Sequence, residues 1–154
     1  MSRVDSSTLL FFDASCLIAA AASPNGGAGF LWELCERGFL QGAVSQAVLA
    51  ETEANLIHKF DAFVLERHRR QLQSGAPVIA PIPRLDVHPR RYPHINPKDE
   101  HVVAAAEAIR ADFILTLDQP LAREIALEQG IPARLPGEFI RNELPQHPFY
   151  SRLR

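Results

Sequence analysis

Short, uninterrupted apolar runs alternate along this chain with longer stretches in which apolar residues recur at helical spacing. One run covers 9–12 and ends at Asp13, and a similar run over 113–116 is followed closely by Asp118. A continuous apolar run of this length is typical of a strand that is buried on both faces, as in the middle of a parallel sheet. Further strands are predicted over 39–45, 78–80 and 132–134, with 78–80 at an edge because prolines flank it.

The segments between these strands predict helices over 15–22, 28–37, 46–59, 61–73, 97–111, 120–129 and 136–140. The helix over 61–73 is expected to turn Phe63, Val64 and Leu72 inward. Asn96 followed by Pro97 is a strong helix start, since Asn is a favoured N-cap and Pro is favoured at the first helical position. Strands and helices therefore alternate, which predicts an α/β protein with a three-layer α/β/α architecture and a central, mostly parallel sheet of four to five strands.

The domain organisation follows from length and from the positions of the irregular segments. A chain of 154 residues is predicted to form a single domain over 1–154, large enough to bury a core without disulfides or a structural metal. The two ends, 1–8 and 145–154, are expected to be loosely ordered. Residues 83–96 are rich in Pro, Arg and His and are expected to form a long irregular loop, a kind of segment that is often functional.

Composition excludes several classes of protein. Cys16 and Cys35 are too few for a disulfide framework and their spacing fits no zinc motif, so a reducing, cytoplasmic location is predicted. The apolar segment 9–22 loosely resembles a signal peptide, but Asp13 interrupts it. No stretch is long enough to span a bilayer, and no membrane contact is expected.

Charge is distributed unevenly although the net charge is only −2. Between Asp61 and Lys98, seven Arg and Lys residues outnumber three acidic ones. A basic middle beside an acidic remainder is compatible with a polyanionic substrate, and equally with a solvated helix face and a basic loop. The candidate phosphate contacts in this region are Arg67, Arg69, Arg70, Arg90 and Arg91.

Four acids from distant parts of the chain are predicted to converge. Asp13 and Asp118 follow strands, so both carboxylates open at the carboxyl edge of a parallel sheet if the strands are neighbours. Glu51 and Asp99 lie near the amino ends of their helices, which face the same edge. Clustered carboxylates repel one another unless a cation neutralises them, and an all-oxygen set favours Mg²⁺ or Mn²⁺. Each acid also has a structural explanation: Asp13 as a helix cap, Glu51 as a surface residue, Asp99 as a first-turn residue and Asp118 as a turn former.

The order and context of these acids resemble the PIN domain, the metal-dependent nuclease fold of VapC-type toxins and their relatives. The matching segments are Phe11-Phe12-Asp13-Ala14-Ser15, then 45–51 ending at Glu51, then 97–106 containing Asp99, then 111–118 ending at Asp118, and finally Pro136-Gly137-Glu138-Phe139. The resemblance implies RNA phosphodiester hydrolysis with one or two Mg²⁺ or Mn²⁺ ions. It assigns Asp13, Asp99 and Asp118 to the metal and Glu51 to the attacking water. It also gives Ser15 and Thr116 a supporting role through hydrogen bonds.

The predicted function is thus a metal-dependent endoribonuclease, the toxin of a toxin–antitoxin pair, acting as a homodimer that a small antitoxin protein neutralises. The apolar helix with Phe30, Leu31, Trp32 and Leu34 is either a partner surface or core. The alternative function is a catalytically silent PIN-like module that binds RNA or protein. A haloacid-dehalogenase-type phosphohydrolase fits less well, because that family requires an Asp where this chain has Ser15.

The sequence departs from the family pattern at a few positions. Gln119 and its neighbours stand where relatives often carry a further acid and an aromatic residue. Glu53 and Glu100 lie close to two of the proposed ligands in sequence, so the acid used at each place stays open. His101 is expected to be a helix-surface residue rather than a ligand.

Overall fold

The computed structural model of the protein describes residues 4–82 and 92–153, and within these residues a five-stranded sheet forms the centre of the molecule. Its strands are β1 (Leu9–Phe12), β2 (Gln41–Ser45), β3 (Val78–Ala80), β4 (Phe113–Leu115) and β5 (Ala133–Arg134). The spatial order is β3-β2-β1-β4-β5, and every neighbouring pair is parallel. The structure confirms the α/β class, the central position of β1 and the edge position of β3.

The helices are α1 (Ala14–Ala22), α2 (Gly27–Glu36), α3 (Gln46–Lys59), α4 (Ala62–Gly75), α5 (Glu100–Ala108), α6 (Gln119–Glu128) and α7 (Pro136–Glu138). A 3₁₀ turn over Pro97–Asp99 leads into α5, so the helix predicted over 97–111 is shorter and begins in a tighter turn. A π-helical turn over Phe139–Glu143 extends α7. Among the helices of the described ranges, none has both the length and the apolar character to cross a membrane.

The chain direction across the sheet assigns the helices to two faces. From β1 the chain moves outward to β2 and β3, then returns past β1 to β4 and continues to β5. Because β-α-β crossovers are right-handed, outward and return connections lie on opposite faces. Helices α1 to α4, which contact one another, cover one face, and α5 and α6 cover the other. The three-layer α/β/α architecture is therefore confirmed, and the direction reverses between β1 and β4.

Trp32 is the main anchor of α2 in the core. Its ring packs edge-to-face on Phe12 with 5.0 Å between centroids, and its Nε1 donates a hydrogen bond of 2.9 Å to the carbonyl of Gln71 on α4. Leu31 and Leu34 are fully buried beside it. The prediction of a partner surface on this helix is therefore wrong for these three residues, because α2 packs on the sheet and against α1 and α4.

One further prediction about burial is wrong. Phe63 is predicted to face inward, yet 56% of it is exposed, and the guanidinium of Arg67, one turn further along the same helix, lies 5.8 Å from its ring centre. At the two ends, which are predicted to be loosely ordered over 1–8 and 145–154, Val4 and Leu153 are buried in the core cluster.

His147 attaches the C-terminal segment to the rest of the fold. It is buried, its Nδ1 accepts from the backbone amide of Phe149, and its Nε2 therefore donates to the carbonyl of Phe39 over 2.8 Å. In the region predicted as an irregular loop over 83–96, residues 83–91 lie outside the described residues, while Tyr92 and Ile95 are buried.

Candidate active site at the carboxyl edge of the sheet

The reversal of chain direction between β1 and β4 creates a crevice at the carboxyl ends of these two strands. In open α/β sheets this is the position where ligands bind. Asp13 directly follows β1, and its backbone amide donates to the carbonyl of Leu115 at the end of β4 over 2.9 Å. Thr116 and Asp118 follow β4 immediately. The fold therefore brings both strand-end acids to the same crevice.

Asp13 is the buried centre of this crevice, with only 8% of the residue exposed. Its Oδ1 accepts a hydrogen bond of 2.8 Å from the amide of Ala14, which starts α1. Its Oδ2 accepts from the Thr116 hydroxyl over 2.8 Å and from the Ser15 hydroxyl over 3.2 Å. Three donors thus fix the orientation of one carboxylate.

The two hydroxyls are themselves held by the loop between β4 and α6. The amide of Leu117 donates to Ser15 Oγ over 2.9 Å, and the amide of Asp118 donates to Thr116 Oγ1 over 3.0 Å. A hydroxyl carries a single hydrogen, and here the accepted amides leave that hydrogen free to point at Asp13. The network therefore binds the β1–α1 turn to the β4–α6 loop and supports the predicted role of Ser15 and Thr116.

The pKa shifts of Asp13 and Glu51 indicate that Asp13, Glu51 and Asp99 lie close enough to affect one another's charge. Burial raises the pKa of Asp13 most, and Asp99 raises it further, while the hydrogen bonds from Thr116, Ala14 and Ser15 lower it. Burial also raises the pKa of Glu51, with further increases from Asp13 and Asp99. Glu51 is exposed at its surface position on α3, so its carboxylate borders solvent rather than the core.

Asp99 and Asp118 have other partners in the structure. Asp99 Oδ2 lies 3.0 Å from the Nζ of Lys98. Asp118 is the N-cap of α6, and its Oδ1 accepts from the amide of Leu121 over 3.1 Å. One oxygen of Asp118 therefore caps a helix, a structural role different from the turn former that was its alternative explanation.

The donor chemistry of the site fits a hard divalent cation. All four acids offer carboxylate oxygens, which suit Mg²⁺ and Mn²⁺ better than zinc. Within the described ranges, however, no three His, Cys, Asp or Glu side chains are grouped closely enough to hold a metal ion. Asp99 and Asp118 are half-buried and hold other partners, so a binding geometry requires their side chains to leave those partners.

The PIN-domain family model matches residues 10–120 of the chain. The chain belongs to the PIN-domain family. PIN domains are generally nucleases and typically bind divalent metals, so membership of the family suggests a nuclease-like module and nucleic-acid binding. The matched region contains all four acids and both hydroxyl residues. No curated protein matches the chain.

Within this PIN domain, Glu53 and Glu100 have surroundings different from those of their neighbours Glu51 and Asp99. Glu53 pairs with Arg69 over 3.5 Å and is not among the charges that shift the pKa of Asp13 or Glu51. Glu100 is buried, whereas Asp99 acts on the pKa of both other acids. Glu51 and Asp99 therefore remain the stronger candidates.

The arginines proposed for RNA contact have different surroundings. Arg67 donates to the carbonyl of Ala21 over 2.6 Å and so caps the C-terminus of α1, which makes it a structural residue. Arg69 pairs with Glu53, while Arg70 is exposed on α4. Arg90 and Arg91 lie outside the described residues.

Three features of the site were not predicted from the sequence. Lys98 places an ammonium group on Asp99. His101 lowers the pKa of Glu51, and its Nδ1 is buried without a hydrogen-bond partner, so it is not an ordinary surface residue. The proximity of both residues to Asp99 in sequence was the available signal.

The third feature is a cleft of about 260 Å³ lined by Gln119, Ala122, Arg123, Leu135 and Glu138. Its walls come from α6, from α7 and from Leu135 between β5 and α7, and Gln119 is the residue that follows Asp118 in sequence. Another cleft, of about 230 Å³, lies between Tyr92, Glu107 and Glu128. None of the four acids lines either cleft.

Proposed function

We propose that this PIN domain is an endoribonuclease that hydrolyses RNA phosphodiester bonds with Mg²⁺ or Mn²⁺. The observation that supports it most is the environment of Asp13. A carboxylate is buried at the switch point of a parallel sheet, oriented by two hydroxyls, and has other carboxylates within electrostatic range. Such repulsion is unfavourable by itself and becomes favourable when a cation is bound.

In this mechanism Asp13, Asp99 and Asp118 are the residues that hold the metal. A bound divalent ion lowers the pKa of a coordinated water and offsets charge on the phosphate. Thr116 and Ser15 keep the Asp13 carboxylate aimed into the crevice, so it needs little reorganisation. Asp118 follows β4 and Asp99 precedes α5, and Asp99 acts electrostatically on Asp13.

Glu51 is the proposed general base. Its raised pKa makes it a better proton acceptor than an ordinary glutamate, and its position at the border with solvent gives it access to water. Glu51 takes a proton from the attacking water as the new oxygen–phosphorus bond forms; the bond to the leaving ribose oxygen breaks, and that oxygen takes a proton from solvent. The cleft beside Asp118 offers Gln119 and Arg123 to the neighbouring part of the RNA.

The first experiment compares thermal unfolding with and without Mn²⁺ for the wild type, Asp13→Asn and Asp61→Asn. Ligand that binds only the folded state stabilises it, so Mn²⁺ should raise the Tm of the wild type clearly and that of Asp13→Asn hardly at all. Asp61 is a matched control, since it is an exposed N-cap without a side-chain capping bond and does not shift the pKa of Asp13 or Glu51. Absence of a Mn²⁺ response in the wild type contradicts the metal site.

RNA cleavage then separates the nuclease from the silent binding module. Cleavage of single-stranded RNA by the wild type and Asp61→Asn, but not by Asp13→Asn, supports the nuclease, whereas RNA binding without cleavage supports the alternative. We further propose the toxin role, cytoplasmic location, homodimer and small antitoxin partner, which rest on the resemblance to VapC-type toxins. Growth arrest on expression of the wild type, absent for Asp13→Asn, is the matching cellular readout.

A further inference from the structure

Lys98 is a cation built into the proposed acid site. Its Nζ lies 3.0 Å from Asp99 Oδ2, although 67% of the lysine side chain is exposed. Asp118 and Glu51 also act on its ammonium group. One lysine therefore lies in the field of three of the four acids.

Asp99 is shared between this lysine and the other acids. It raises the pKa of both Asp13 and Glu51, so its charge is felt across the crevice. In the protein without metal, the ammonium group of Lys98 offsets part of that repulsion. A divalent ion that uses Asp99 as a ligand binds the same carboxylate and repels the same ammonium group.

The Lys98–Asp99 ion pair can be broken without loss of the fold, so a metal ion can take the place of the ammonium group. An exposed ion pair between neighbouring residues contributes little to stability and is easily broken. The backbone amide of Lys98 donates to Asn96 Oδ1, and this bond, which starts the helix, does not depend on the lysine side chain. Side-chain substitution at Lys98 therefore changes the charge and leaves the local fold intact.

We propose that Lys98 is an intrinsic competitor for metal at the acid site: its ammonium group is the counter-ion of Asp99, and a divalent cation must displace it to bind. This inference rests on the proposed function, because it requires the acids to bind metal. Its consequence is that Lys98 weakens metal affinity and shifts loading of the site to higher metal concentration. A purely structural role for Lys98 leads to the opposite expectation, since a damaged site binds metal less tightly.

The chain contains only two lysines, Lys59 and Lys98, which provides a matched control. Lys59 lies in the last turn of α3, is exposed, and is not among the charges that shift the pKa of Asp13 or Glu51. The experiment is calorimetric titration with Mn²⁺ of the wild type, Lys98→Met, Lys98→Gln, Lys98→Arg, Lys59→Met and Asp13→Asn, each first checked for cooperative unfolding.

Lys98→Met and Lys98→Gln should bind Mn²⁺ about threefold to tenfold more tightly than the wild type, because one positive charge near the ion is removed. Lys98→Arg and Lys59→Met should bind as the wild type does. Unchanged or weaker binding in both neutral Lys98 variants overturns the proposal while the metal site stands, as does an equal gain in Lys59→Met. If the wild type itself binds no Mn²⁺, the proposed function fails first, and Asp13→Asn will show no further loss.

Discussion

Asp13 combines two roles that its two oxygens can fill separately. Oδ1 accepts from the Ala14 amide at the start of α1, as a helix cap does, and Oδ2 is held by Thr116 and Ser15 at the crevice. The structural and functional explanations of this residue are therefore compatible. A cap restricts the carboxylate to one rotamer, and that restriction is also what a preorganised ligand requires.

Thr116 tests this network most directly. Thr116→Val keeps the shape but removes the donor to Asp13 and the acceptor of the buried Asp118 amide bond. We expect a loss of about 1–3 kcal/mol in the free energy of unfolding, as is typical when a buried polar group loses its partner. Because that hydrogen bond lowers the pKa of Asp13, its loss also raises this pKa further, and Mn²⁺ should bind more weakly.

Thr116→Ser is the control for Thr116→Val. Serine keeps the hydroxyl, so it should retain most of the Mn²⁺ affinity while losing some packing energy from the missing methyl group. Denaturant unfolding measures the stability and calorimetry measures the affinity. Equal Mn²⁺ affinity in Val and Ser variants would show that the hydroxyl does not position Asp13.

At the scale of helices and strands, the sequence predicted what depends on local pattern. The apolar runs before Asp13 and Asp118 are indeed neighbouring central strands, and each major helix lies within a few residues of its expected limits. The sequence did not reveal burial that depends on distant partners. Trp32 is an example, because nothing in its own helix indicates that α4 and the sheet enclose it.

The same distinction between local pattern and distant contacts applies to the candidate site. The positions of the four acids on the fold could be predicted because strand ends and helix starts fix where such residues lie, while their role as a metal site stays a prediction. The Lys98–Asp99 pair, the unpartnered nitrogen of His101 and the cleft at Arg123 could not, because they depend on side-chain rotamers and on loops that meet only in the folded chain.

Gly75 tests the enclosure of α2 by α4. A Cβ built on Gly75 would lie 2.5 Å from Trp32 Cζ2, and real Cβ contacts do not come that close. Gly75→Ala should therefore force Trp32 or the end of α4 to move and lower the free energy of unfolding by about 1–3 kcal/mol, the usual effect of overpacking. Gly130→Ala is the matched control, since its nearest contact would be 3.5 Å away. Similar stability of the two variants in denaturant unfolding would contradict the tight packing.

At the scale of the whole molecule, the candidate site lies at the carboxyl edge of the sheet, and contacts that only hold the fold together lie elsewhere. Along the carboxyl edge, Asp13, the β4–α6 loop and the cleft follow one another in space, at β1, β4 and β5 respectively. The C-terminal segment, by contrast, attaches through His147 to Phe39, the residue shortly before β2 begins. An RNA strand that crosses the crevice at Asp13 can continue into the cleft without leaving this edge.

Two routes for the RNA are therefore open to test, one through the cleft at Arg123 and one over α4 at Arg70. Both arginines are exposed, so replacement by alanine should leave folding unchanged. The cleft is lined by Gln119, the residue that follows Asp118, whereas no residue of α4 is adjacent in sequence to one of the four acids, so we favour the cleft. Arg123→Ala should then raise the KM for RNA several-fold with little change in kcat, because a contact to RNA outside the scissile bond binds ground state and transition state alike.

Salt dependence provides a second measurement of the same route. Each phosphate contact to single-stranded RNA contributes about −0.7 to the slope of log affinity against log salt concentration. Arg123→Ala should reduce the steepness of that slope by about one contact, and Arg70→Ala should leave it as in the wild type. If Arg70→Ala alone raises KM and flattens the slope, the RNA crosses α4 and the basic middle of the chain is its binding surface.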